Sequence, residues 1–192
     1  MNEPAKVIDD RTVRLRRLMP APVDRVWAFL VESEKRRTWL AAGDMELRPG
    51  ARFTLQFKHR ELSAEPAEAG ASDYEGAHPA EIVEVDPPHR LVITWGEGMQ
   101  DVAAISEVVF ELEPQDTGTR LTITHRKLDT PTTAKEVAMG WHTHVGLLED
   151  ALAGREPRWF WAGFRSIKPV YDAVFPGVPD FLDDIADKKD PS

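Results

Sequence analysis

The chain has no cysteine among its 192 residues. That removes disulfides, thiolate metal sites, cysteine nucleophiles and dithiol redox chemistry together. No run approaches 18 consecutive apolar residues, so no membrane span is expected. Residues 1–10 lack the apolar core of a secretion signal, which makes a cytoplasmic setting the expectation. Positive charge is in deficit, with 24 Lys+Arg against 33 Asp+Glu and a formal net charge of −9. A chain of that sign is repelled by a phosphate backbone, so no nucleic-acid partner is expected. Signature loops are missing too. No phosphate-binding glycine loop, nucleophile elbow or H-E-x-x-H helix occurs, and Gly96 and Gly98 alone are too short a dinucleotide fingerprint. No cofactor and no metal are therefore expected.

What remains is a pattern of strands and amphipathic helices. Residues 12–19 (TVRLRRLM) alternate through Val13 and Leu15, then Arg17 and Leu18 interrupt the alternation. Pro22 suits a first helical turn, and Val23, Val26, Trp27 and Leu30 make one apolar stripe. Ser33 is placed to cap a second short helix over 33–40, with Trp39 inward. Residues 51–57 put Phe53, Leu55 and Phe57 on one face of a strand. Residues 60–75 read as a long loop or flap. Strands are expected over 76–85, where Pro79 argues for an edge or irregular start, and over 90–95, 105–112 and 119–125. Gly118 joins the last two as a hairpin, and residues 96–98 form a loop. The strongest helix covers 133–153, with Val137, Trp141, His144, Val145, Leu148, Ala151 and Leu152 on one face. Glu136, His142 and Glu149 lie on the other.

The order is one strand, two short helices, a run of antiparallel strands and one long helix. It predicts an α+β fold in which a curved sheet of six or seven strands wraps the last helix. Ordered local signatures carry a resemblance. They are residues 21–27 (APVDRVW), Trp39, 47–53 (LRPGARF), 81–95 (EIVEVDPPHRLVITW), 118–125 (GTRLTITH) and Gly140–Trp141. The chain resembles the START-like, or SRPBCC, polyketide cyclase/dehydrase superfamily, and within it the homologues of the heat-shock-protein ATPase activator. The resemblance implies a helix-grip domain over 10–154 with an interior cavity. It implies a hydrophobic small molecule as ligand, a chaperone ATPase as partner, or cyclase/dehydrase chemistry. The sequence departs from the family where Ala51 replaces a second glycine, and where residues 155–192 extend past the usual end.

That extension holds Trp159, Phe160, Trp161, Phe164, Tyr171, Phe175 and Phe181, too many aromatics for a solvated tail. It is expected to pack on the domain, where it could cover a cavity mouth or an exposed edge strand, or to form a homodimer or partner surface. Pro169, Pro176 and Pro179 predict only short helical pieces there, and the end from 183 onward is expected to fray. On the domain, the cavity candidates are Trp39, Phe53, Phe57 and Trp95. Phe110, Trp141, His144 and Leu148 complete them. His144 is the polar candidate, able to orient a ligand or serve as general base. His142 and His144 would point about 200° apart on a helix, so they do not make a metal pair. No nucleophile or acid–base constellation stands out. Non-enzymatic binding of a hydrophobic small molecule is the leading expectation. A chaperone ATPase co-regulator and a cyclase/dehydrase using His144 are the alternatives.

Overall fold

The computed structural model describes residues 3–65, 75–96, 105–180 and 182–183. The readings made for 66–74, 97–98, Phe181 and 184–192 lie outside these residues. The strands are β1 (Lys6–Asp9), β2 (Thr12–Met19), β3 (Ala41–Ala42), β4 (Arg52–Phe57), β5 (Gly76–Asp86), β6 (Arg90–Trp95), β7 (Ser106–Gln115) and β8 (Gly118–Arg126). The helices are α1 (Val23–Val31), α2 (Ser33–Arg36), α3 (Pro131–Leu152) and α4 (Phe160–Val174). All strand pairs are antiparallel, in the order β1-β2-β8-β7-β6-β5-β4-β3. From β3 to β8 the chain meanders between neighbours and finishes against β2. α1 and α2 carry it from β2 to the opposite sheet edge. The curved sheet wraps the C-terminal helices, and its inner face meets α3 in one core.

Eight strands are seen among the described residues, where six or seven were expected. The added ones have little apolar signal. β1 is exposed along its whole length, and β3 is two residues long. In β2 the alternation does not break. Arg17 keeps inner parity beside Val13, Leu15 and Met19, and Leu18 points outward. The Arg17 guanidinium lies 3.9 Å from the Glu149 carboxylate of α3, which is why a charged residue is tolerated on that face. Pro79 sits in the half of β5 that pairs with β4. The β6 partner begins only at Ile82, so the missing N–H breaks no ladder there.

The short helices differ in their ends. Pro22 is the N-cap of α1 rather than a first-turn residue, because its ψ of 159° is extended. α2 stops at Arg36, well before residue 40, and Ser33 does not cap it; its Oγ accepts from the Gly43 N–H at 2.9 Å. Arg36 explains the stop. Its buried guanidinium donates to the carbonyls of Leu30, Val31, Ala41 and Gly43, pinning α1 to β3. Burial lowers its pKa to about 10. Trp39 is fully buried, and its indole donates to the Phe29 carbonyl at 2.9 Å.

α3 begins two residues earlier than expected, with Pro131 in the first turn and Thr130 Oγ1 accepting from Thr133 N at 3.1 Å. It is buried on more than one side, because α4 lies along its outer face. α4 runs unbroken for 15 residues through Pro169, contrary to the short pieces expected. Pro169 and Arg165, one turn before it, are both exposed, so solvent reaches the helix where the Pro169 N–H is missing. One ionic cluster fixes α4 to α3 and a second ties the linker between them to the end of α3. Lys135 is 1 % exposed and meets Asp172 at 2.7 Å and Asp180 at 2.8 Å, and Lys168 joins both carboxylates and Asp183. Asp150 near the end of α3 binds Arg155 and Arg158 at 2.8 and 2.6 Å.

Candidate functional site: an aromatic cavity beside α3

Between the sheet, the first half of α3 and the first turn of α4 lies a cavity of about 180 Å³. β4 and the 3-10 turn after it (His59–Glu61) supply Phe57 and His59. Trp95 ends β6, Ser106 begins β7, and His125 lies near the end of β8. α3 gives Thr133, Glu136, Val137, Gly140, Trp141 and His144, and α4 gives Phe160, Trp161 and Phe164. Leu40 completes the lining. The rings touch one another around the space. Trp95 and Trp141 have centroids 5.1 Å apart, and Phe57 meets Trp95 edge-on at 5.6 Å. Phe160 lies 4.9 Å from His59 and 4.8 Å from His144.

Four of the eight expected residues line this space: Phe57, Trp95, Trp141 and His144. Trp39 stands behind His144, whose Nδ1 lies 2.6 Å from the Trp39 carbonyl. Phe110 supports Trp141 from below, edge to face at 5.6 Å. Phe53 and Leu148 are buried in the core away from the lining.

The residues that sequence reasoning missed include two histidines and the α4 aromatics. The histidines carried a signal. Phe53, Leu55 and Phe57 alternate inward, and His59 is the next step. Leu121 and Ile123 alternate inward, and His125 is the next step. Each extends a strand's inner face by one polar residue. For Phe160, Trp161 and Phe164 the aromatic density was visible in sequence and a cavity mouth was one of its expected places, but which residues would line it was not.

His125 and Ser106 look like a base and a nucleophile, with Nε2 and Oγ 2.7 Å apart. The proton order forbids that use. The Trp141 indole can only donate, and it donates to His125 Nδ1 at 3.1 Å. Nδ1 is therefore the bare nitrogen, and the neutral ring keeps its proton on Nε2, donating to Ser106. Ser106 in turn donates to the Trp95 carbonyl at 3.2 Å. Complete burial drives the His125 pKa down to about 3, so no second proton joins the ring near neutrality. The chain from Trp141 through His125 and Ser106 to Trp95 braces the aromatic wall and does not activate a hydroxyl.

His144 is arranged oppositely. A carbonyl can only accept, so Nδ1 carries the proton toward Trp39. Burial and nearby His59 push its pKa down to about 3, against the pull of the Trp39 carbonyl. The ring is neutral, and its Nε2 has no hydrogen-bond partner among the described residues. A base this weak is poorly matched to proton abstraction near neutrality. Among the described residues, no group of three or more His, Asp or Glu is placed to hold a metal ion.

The wall is anchored where α4 begins. Glu65 accepts from the backbone N–H groups of Trp161 and Ala162 at 2.7 and 2.8 Å. Ser63 Oγ accepts from Phe160 N at 3.2 Å. A carboxylate at the positive end of a helix satisfies donors that have no partner within it. The loop after β4 thereby fixes the turn that carries Phe160, Trp161 and Phe164.

A bent antiparallel sheet closing on a long helix, with a hollow between them, is the helix-grip architecture of START-like, SRPBCC proteins. Residues 20–153 match the family described as Activator of Hsp90 ATPase homolog 1-like protein, and this chain belongs to that family. A solution structure of the protein encoded by gene BPP1335 from Bordetella parapertussis is 35% identical, with a TM-score of 0.73 over 90% of this chain and 92% of that one. Protein MLL2253 from Mesorhizobium loti is 27% identical, covering 74% of this chain and 97% of its own, with a TM-score of 0.59. CalU16 from Micromonospora echinospora shares the fold at 21% identity, with a TM-score of 0.64 over 86% of this chain and 89% of that one. No curated protein matches the chain. Among the described residues, no helix is long and apolar enough to cross a membrane.

Proposed function

We propose that the chain binds a hydrophobic small molecule in the cavity between the sheet, α3 and α4, without transforming it. One observation carries this reading. The fold leaves a partly open hollow beside α3, and aromatic rings wall it. Gly140 sharpens it. A Cβ built there meets no atom within 4 Å, although a mid-helix glycine costs about 1 kcal/mol relative to alanine. The helix gives up stability and leaves space on the cavity side. Ligand retention is tested by native mass spectrometry after incubation with a mixture of apolar aromatic metabolites. A retained mass that Gly140→Leu abolishes supports the reading, and no retained mass from any mixture overturns it.

A second reading is action through a protein surface, as the family description suggests. Trp159, 55% exposed at the start of α4, is its best anchor. Stimulation of a chaperone ATPase that is lost in Trp159→Ala would favour it. The cyclase/dehydrase reading with His144 as its base is weakened, because neither His144 nor His125 has the proton order and basicity that chemistry needs.

A further inference from the structure

The polar chemistry of the cavity narrows the ligand, in an inference that rests on the binding reading above. Lys and Arg are absent from the lining among the described residues. Its acidic member is Glu136. His125 is occupied on both ring nitrogens, by Trp141 and Ser106. His144 differs, because its Nδ1–H is committed to the Trp39 carbonyl while Nε2 is left with a lone pair and no protein donor among the described residues. The residue is only 6% exposed, so little more than one edge of its ring is open, and it lines the cavity. Phe160 and His59 flank the ring with centroids 4.8 and 5.3 Å away, which fixes the direction from which a ligand can approach.

We propose that the cavity selects neutral aromatic molecules carrying a hydroxyl or N–H donor, and that His144 Nε2 accepts that donor while the Trp95 and Trp141 rings hold the apolar body. Anionic ligands are rejected. A carboxylate would lose its hydration among aromatic rings, with no Lys or Arg among the described lining residues to replace it. The selection depends on His144 remaining neutral, which its burial and its bond to Trp39 enforce.

Three probes of one shape separate these claims: naphthalene, 2-naphthol and 2-naphthoate, titrated against the full chain by calorimetry at pH 7. The expected order is naphthol about tenfold tighter than naphthalene, with naphthoate weakest, the size of one well-made hydrogen bond in a buried site. His144→Leu should bring naphthol down to the affinity of naphthalene while naphthalene binding persists. A second readout needs no variant. The nitrogen NMR resonance of His144 Nε2 should move on addition of naphthol and stay in place with naphthalene. If naphthalene binds as well as naphthol, or naphthoate binds best, the donor-acceptor inference is overturned and the cavity reading survives. If no probe binds, the cavity reading itself falls.

Discussion

The two halves of α3 face the same sheet and do different things. From Val145 onward the helix is packed solid. Val145 and Leu148 are fully buried, and Leu152 is buried beside them. Before that point, Val137, Gly140, Trp141 and His144 border open space. The difference is set by side-chain volume and by what lies opposite. Leu148 meets close-packed core, whereas Gly140 offers no side chain and Trp141 and His144 are held by hydrogen bonds to His125 and to the Trp39 carbonyl. One helix thus serves as both core element and cavity wall, and its two halves should respond differently to perturbation.

The largest expected effect is of pH, and it belongs to the hollow half. The His125 and His144 pKa values in the folded protein lie near 3, well below the unfolded value near 6.5. Below pH 6.5 the unfolded chain therefore binds protons that the folded chain refuses. The stability that the neutral rings contribute is present above about pH 6.5 and is lost as pH falls toward 3. Each histidine should remove about 1.4 kcal/mol per pH unit across that window. His142, lowered to about 4 by burial and then by Arg17 and Arg158, adds to the slope. Denaturant unfolding between pH 7 and pH 4 measures it. A flat profile would mean that the two cavity histidines are hydrated and that the wall is not closed around them.

Truncation compares the halves directly. Leu148→Ala should cost about 2–5 kcal/mol, because close packing leaves a new void. Val137→Ala, three turns earlier, should cost less than about 1 kcal/mol, because the atoms removed already bordered space. Chemical denaturation of both variants tests the contrast, and equal losses would erase it.

Glu65→Ala acts on the wall rather than on α3. Removing the carboxylate that accepts from Trp161 N and Ala162 N should cost about 1 kcal/mol. Hydrogen exchange should then speed up in the first turn of α4 and leave β7 and β8 unchanged. If protection of α4 is unaltered, Glu65 is not what fixes that turn.

The half of the site on β4, β6 and α3 could be read from sequence, because period-2 and period-3.6 patterns assign side chains to faces. Those patterns place Phe57, Trp141 and His144 on their faces, and Trp95 stands out for its large ring at the end of a strand. Phe53 and Leu148 have the same parity and the same chemistry as lining residues, yet sit where the hollow has closed; a face can be read from spacing, but depth along the face cannot. His59 and His125 were legible in principle, as one more inward step of their strands. The α4 contribution was not. Its position depends on Glu65, Lys135 and Asp150 meeting partners as far as 100 residues away in the chain, and no local period encodes such pairings. Pro169 obscured the helix further, since solvent access at Arg165 is a tertiary property.

Gly140 gives the smallest expected change in stability and the sharpest separation of the two roles of α3. Its backbone is helical, and an added Cβ meets nothing within 4 Å. Gly140→Ala should therefore raise stability by up to about 1 kcal/mol, through helix propensity alone. Gly140→Leu should be no less stable than wild type, since its larger side chain grows into the hollow, but it should weaken binding of an apolar aromatic probe at least tenfold. A rise in thermal stability joined to a loss of binding is what a retained void predicts, because the helix is then less stable than it could be in order to keep that volume open. If Gly140→Leu is instead strongly destabilised, the space beside residue 140 is too small to hold a ring. The contrast between the two halves of α3 would then reduce to a difference in side-chain size.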